Sequence, residues 1–443
     1  MSNPNPTTRR QILRTALLGS GLVGLQALAT GLPRALFTDG LPGLDAHAAA
    51  PRLPSYLIVL TSQSGEPFNA CVPGTYGVEG VLHNPNPEMA ETRISLGGVS
   101  TSAAAPWAAL PQAVLDRTAV IHHRTYQNAH PQYAKVMGLV GSARNRDGNG
   151  TEHLPSLIAS ETAPLLGTVQ PAPIRMTGGG EPLTYEGRVV QSVDPSTLAD
   201  VFAPPEGQEA LDLATLRAAS LDRMYAIARD QGTPRHRDLI DRLATSREQA
   251  LSLDEALIER FSLIDGNDAR NELRAALTLF LMNVTPVVTL KMAFGGDNHN
   301  DAGFARERNE TVASFGMLAD FYAELAGTPL ADRVVVANLG VFGRTLGSRN
   351  SAGRDHNLNH HAMMISGAGV GAGVYGGIAP VGRDFGATAI DAATGASVEK
   401  GDIPEDETLE SAAKTLATVV GVPSDRLDLR IDGGRVIAPA VAG

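Results

Sequence analysis

The chain has 443 residues, with 36 basic and 47 acidic side chains for a net charge of −11, and is 43% hydrophobic and 19% charged. That composition excludes a disordered chain and provides for a large core, and the acidic balance lacks the basic footprint of a nucleic-acid binder. Cys71 is the only cysteine, so no intramolecular disulfide or thiolate metal centre can form, and a tightly held metal would need His and carboxylate ligands.

In chain order, Thr8-Arg9-Arg10-Gln11-Ile12-Leu13-Arg14 precedes a mild apolar run from Ala16 to Leu32 broken by Gly19, Gly21 and Gly24. It reads as a twin-arginine signal peptide, residues 1–48, cleaved after the small-x-small sequence Ala46-His47-Ala48. Cleavage would remove four arginines (Arg9, Arg10, Arg14, Arg34) and two aspartates (Asp39, Asp45), moving the charge from −11 to −13. No later segment has 18 consecutive apolar residues, so the mature protein, periplasmic or secreted, should have no stable membrane span.

Residues 49–443 read as one α/β domain. Tyr56 to Leu60 is a continuous apolar run ending in Thr61-Ser62-Gln63-Ser64-Gly65, the pattern of a buried parallel strand entering a loop. A helical stretch from Pro106 to Leu115 and a second strand from Thr118 to Ile121 follow. Pro286 to Met292 and Arg333 to Leu339 repeat the strand pattern around a helix from Arg306 to Ala326, whose Val312, Phe315, Leu318, Phe321, Tyr322 and Leu325 recur at helical spacing. Ala362 to Ile365 and Val374-Tyr375 are further strands, and Glu407 to Val420 a helix. This alternation predicts a mainly parallel sheet with helices on both faces. Helical patterns alone run from Glu209 to Val284, predicting a helical insertion over residues 207–284, and Ser142 to Gly150 and Gly178 to Glu181 read as loops. The glycine run Gly367 to Gly373 lacks the lysine of a phosphate loop and reads as a tight turn.

The histidines cluster after strands: His122, His123, His130 and His153 after the second, His299 after the third, and His356, His360 and His361 after the fourth. Residues beyond the carboxyl ends of parallel strands converge on one crevice. Asp297-Asn298-His299 and Asp355-His356 add carboxylates, and Asp with neutral His suits a divalent metal able to activate water.

Several segments resemble a known family. Phe342-Gly343-Arg344-Thr345, then Gly353-Arg354-Asp355-His356-Asn357, then Met364 to Val370 and Tyr375-Gly376 are similar to the twin-arginine-exported proteins of the domain of unknown function 1501 family. Gly296-Asp297-Asn298-His299, Asn128-Ala129-His130 with Gly141-Ser142, and Leu57 to Pro73 match the same pattern in order. The resemblance implies an alkaline phosphatase/sulfatase-like fold: a central sheet covered on both faces, with a metal site at its carboxyl edge. It further implies that Asp297, His299, Asp355 and His356 hold one or two divalent metals (Zn, Mn, Ca or Mg), with His360 a candidate by residue type. Active members have an acidic metal ligand at the end of the first strand, and the nearest acid here is Glu66, a ligand candidate several residues further on. Val341 stands where the family has an acid. Thr125 is the best-placed nucleophile, Arg344 an anion clamp or a structural ion pair, and His130 or His123 a general acid. Cys71-Val72-Pro73 lacks the arginine of a sulfatase modification motif. The implied activity is hydrolysis of sulfate or phosphate esters, on a small-molecule or glycan substrate; the alternative is a degenerate member that binds an exported partner.

Overall fold

The computed structural model describes residues 54–130, 153–168, 170–176, 183–202, 208–234, 237, 240–241, 255–347 and 352–442. The leader, the loops at 142–150 and 178–181 and the Gly141-Ser142 match lie outside the described residues. An eight-stranded sheet forms the centre. Its strands are β1 (Tyr56–Ser62), β2 (Thr118–His123), β3 (Ile174–Met176), β4 (Ser192–Val193), β5 (Val287–Lys291), β6 (Val334–Gly340), β7 (His361–Gly367) and β8 (Gly373–Tyr375), in the order β8-β2-β7-β6-β1-β5-β3-β4. All run parallel except β7, which is antiparallel to both neighbours, β6 and β2. The sheet is therefore mainly parallel, as the βα alternation predicts.

The central strands have no polar face because both of their faces are covered. In β1, Tyr56, Ile58 and Leu60 enter one core, while Leu57 and Val59 enter the other. The first core holds helices α4 (Ala269–Leu281) and α5 (Ala305–Ala326), through Leu273, Leu277, Phe280, Phe315, Leu318 and Leu325, together with Trp107. The second holds α1 (Leu154–Leu166) and α6 (Thr408–Val419), through Leu157, Ile158, Leu409 and Leu416. Each fully buried Leu or Ile contributes about 1.5–3 kcal/mol of transfer free energy.

Local signals set the helix ends. Asp268 caps α4 by accepting from the Asn271 N–H, and α1 has Pro155 in its first turn and ends at Gly167, which takes the left-handed conformation. Pro106 to Leu115 does not form the expected single helix. It divides into a 3-10 turn, Ala105–Ala109, and one helical turn, Gln112–Leu115, because Pro111 between them has no N–H to continue the ladder. Within 207–284, α2 (Gln208–Gln231) and α3 (Glu255–Ser262) precede α4, whose buried face belongs to the central core. Among the described residues no helix is long and apolar enough to cross a membrane.

Candidate metal centre

Four loops meet at the carboxyl edge of the sheet. Residues 63–66 follow β1, 124–130 follow β2, 294–299 follow β5 and 341–344 follow β6. Because β7 runs against the others, the segment leading into it, 353–356, reaches the same edge from the opposite direction. The antiparallel ribbon Gly343–Arg344 with His356–Asn357 ties two of these segments together.

One donor atom from each of His130, Asp297, His299 and His356 lies within 4.8 Å of the other three. Hydrogen bonds orient the imidazoles. His130 Nδ1–H donates to Gln63 O at 3.1 Å, His299 Nδ1–H to Asp355 Oδ1 at 3.1 Å, and His356 Nδ1–H to Asn128 O. Carbonyl and carboxylate oxygens only accept, so each ring carries a proton on Nδ1 and, when neutral, presents its lone pair on Nε2. Those Nε2 atoms face Asp297: His130 Nε2 is 3.5 Å from Oδ2 and His299 Nε2 is 3.6 Å from Oδ1. His356 Nε2 is buried and has no hydrogen-bond partner among the described residues. Tying one ring nitrogen to an oxygen so that the other is presented is the usual support of a metal-binding histidine.

Electrostatics keep Asp297 and His356 in their binding forms. Burial opposes ionisation of Asp297, but the Arg344 guanidinium, with His130 and His299, outweighs it and holds the carboxyl below its ordinary value. Burial lowers the His356 pKa, only partly offset by its bond to Asn128 O, so the ring is neutral at neutral pH. Asp297 remains 49% exposed, which leaves one side of the cluster open to solvent.

The surrounding frame is rigid. Glu66, fully enclosed, accepts from Ser62 Oγ and from the N–H groups of Phe294 and Gly296, fixing the turn before Asp297. Gly353 donates to His299 O at 2.9 Å, and a Cβ at this position would lie 1.7 Å from Asn298 O, so only glycine lets the two ligand-bearing loops pack together. Phe342 stacks on His356 with ring centroids 4.1 Å apart.

The remaining residues singled out from the sequence occupy other places. Asp355 is not among the four grouped donors; it holds the His299 ring. Glu66 spends both oxygens on the brace just described. His360 belongs to a buried chain in which Asn69 Nδ2 donates to His360 Nδ1 (3.2 Å), His360 Nε2 to His122 Nδ1 (2.9 Å) and His122 Nε2 to Pro73 O (2.9 Å), leaving no nitrogen for a metal. His123 is buried, donates Nδ1–H to Arg124 O and stacks on His361 at 5.5 Å, so it cannot serve an open site as a general acid. The Thr125 hydroxyl is buried and donates to Leu358 O at 3.0 Å, a structural bond. Arg344 is fully buried beside Asp297 at 3.0 Å, the structural ion pair rather than an open anion clamp. Cys71 is buried with its thiol on Phe68 O, and burial pushes its pKa up, so the thiol is inert. His130, expected as a proton donor, instead joins the ligand group; its Asn-x-His context places it in a loop, which is the signal that separates it from His122 and His123.

The described residues thus contain a His/Asp group that could bind a metal ion. No curated protein matches the chain. Residues 86–393, a span that includes all four grouped donors, match the model of a family described as proteins of unknown function (DUF1501), and the chain belongs to that family.

Proposed function

We propose that the protein is a metal-dependent hydrolase of sulfate or phosphate esters, working outside the cytoplasm after twin-arginine export. The observation that supports this reading is the convergence on Asp297 of three imidazoles whose Nδ1–H groups are all tied to oxygens. His130, His299, His356 and Asp297 would hold one divalent ion, Zn or Mn fitting a nitrogen-rich set better than Ca or Mg. A metal in such a donor set supplies Lewis acidity and an activated water.

The chain's own groups define the rest. Asp355 keeps the His299 lone pair directed into the site, and Arg344 keeps Asp297 ionised. The Thr125 hydroxyl is committed to a backbone carbonyl, so in this reading water, not Thr125, would be the nucleophile. Asp297, Asp355 and Arg344 carry a formal charge of −1 together, which a divalent ion converts to about +1. That balance favours a singly charged ester, a sulfate monoester or phosphate diester, over a doubly charged phosphate monoester.

One observation favours the second reading, a metal-dependent binding protein: all five N–H groups of Arg344, the arginine paired with the Asp297 carboxylate, are already committed, so it does not grip a substrate anion. Counting bound metal by mass spectrometry and assaying aryl sulfate, bis-aryl phosphate and aryl phosphate hydrolysis, for wild type and His356→Ala, separates them. One metal per chain, lost in His356→Ala, with turnover of the singly charged esters, supports the hydrolase. Metal without turnover supports binding, and absence of metal removes both readings.

A further inference from the structure

We infer that Arg344 is a resident cation of the metal centre, one that keeps the ligand group assembled when no metal is bound and competes with an incoming metal for His299. This rests on the metal reading above.

A guanidinium has five N–H donors and no acceptor. All five of Arg344's are committed: Nε to Gly65 O, Nη1 to Arg354 O (3.4 Å) and to His299 Nε2 (3.2 Å), Nη2 to Ser64 O (2.6 Å) and to Asp297 Oδ1 (3.0 Å). Its main chain is fixed as well, with Arg344 N donating to Asn69 Oδ1 at 2.9 Å and Arg344 O accepting from Asn69 Nδ2 at 2.8 Å. Three of the five side-chain bonds end on backbone carbonyls from loops that carry or flank the ligands. The other two end on ligand residues themselves.

Those two bonds differ in consequence. Asp297 has a second oxygen, Oδ2, facing His130, so it can bind a metal there while Oδ1 stays with Arg344. His299 has a single Nε2 lone pair, because Nδ1–H is given to Asp355. That lone pair can accept from Arg344 or bind a metal, and cannot do both. The positive charge meanwhile neutralises Asp297 before any metal binds, where the three rings would otherwise face an uncompensated carboxylate. Arg344 therefore preorganises the site and at the same time lowers its affinity, by one charge-assisted hydrogen bond and by cation repulsion.

The test uses metal-stripped protein titrated with Zn²⁺, for wild type, Arg344→Met and Arg344→Met/His299→Gln. Arg344→Met should bind Zn²⁺ at least tenfold more tightly than wild type, and the gain should vanish when His299 is also replaced. Because Arg344→Met leaves buried carbonyls unpaired and can unfold, the same question is put to the wild type by ¹⁵N NMR. On Zn²⁺ addition the His299 Nε2 resonance should move to the position of a metal-bound nitrogen, and the Arg344 Nη1–H signal should lose its protection from exchange. Stoichiometric Zn²⁺ binding with both signals unmoved, or equal affinity in a folded Arg344→Met, overturns the inference while leaving the metal site intact. No Zn²⁺ binding by wild type or by folded Arg344→Met overturns the metal reading and the inference with it.

Discussion

The two loops that carry Asp297, His299, Asp355 and His356 are joined beneath the site by a buried ion pair, and its loss is the sharpest perturbation available. Arg354 Nε donates to Glu307 Oε2 at 2.7 Å and Nη2 to Oε1 at 3.2 Å, with each side chain only 1% exposed. Arg354 also donates to Thr345 O and Leu82 O and lies over the Phe304 ring at 4.4 Å, while Glu307 accepts from Asn298 Nδ2 at 3.1 Å, between the two ligands of that loop. At an effective dielectric of about 20, unit charges about 4 Å apart attract by about 4 kcal/mol. Removing one partner leaves the other charge buried and unpaired, for a cost of about 3–5 kcal/mol. Glu307→Gln should therefore lose that much stability in urea unfolding and should weaken Zn²⁺ binding as the Asn298 anchor loosens. Glu307→Gln/Arg354→Met should be more stable than Glu307→Gln alone, because no unpaired charge remains. Glu88→Gln is the control: it breaks the pair with Arg308, whose side chains are 29% and 56% exposed, and should cost under about 1 kcal/mol. A loss below about 1 kcal/mol in Glu307→Gln, or a double variant no better than the single, would refute the argument.

Two further outcomes are expected. Asp355→Asn keeps an acceptor near His299 Nδ1 but removes its charge, and should weaken Zn²⁺ binding by about 10- to 100-fold by calorimetry with little change in unfolding midpoint; an unchanged affinity would assign Asp355 no part in orienting the ring. The buried histidines should also resist protonation in the fold. Burial lowers His122 to about 4, His123 to about 3 and His361 to about 4, against 6.5 unperturbed. Between about pH 6.5 and those values these three rings bind more protons in the unfolded chain than in the folded one, so their contribution to stability falls as pH drops through that window, while Glu272 and Glu410, raised by burial to about 8 from 4.5, oppose them over its upper part. NMR titration of the ring resonances measures this resistance, and ring protonation near pH 6.5 in the folded protein would show that these rings are not neutral in the fold.

The strands were legible because a strand enclosed on both faces is largely apolar, as Tyr56–Ser62, Val287–Lys291 and Val334–Gly340 are. Direction was not legible. The apolar run of His361–Gly367 reads the same whichever way the strand runs, and nothing local marks it as antiparallel. Its reversal turns on connectivity, with Gly367 to Gly373 folding the chain back so that β7 and β8 lie on either side of β2. Pro111 was legible as a break in principle; the apolar residues around it carried helical spacing, and spacing alone does not register a missing N–H.

The histidines divide by a rule that the sequence does contain. His122 and His123 extend the apolar run Ala119-Val120-Ile121, and His360 and His361 open the run Ala362-Met363-Met364-Ile365, so all four continue or adjoin strands and are buried. His130, His299 and His356 are separated from their strands by Asn, Gly or Asp, residues that end a strand and turn the backbone out toward the rim. His360 and His122, contiguous with strands, satisfy their nitrogens inside the sheet through the Asn69–His360–His122–Pro73 chain; a histidine set off by turn residues can offer a lone pair to something outside. Residue type could not make this distinction, which is why His360 was expected among the ligands and His130 was not. Nor could it separate Asp297 from Asp355. Both precede or neighbour a histidine, and only the packing of Gly353 against Asn298 determines that one carboxylate faces the cluster while the other faces the back of His299.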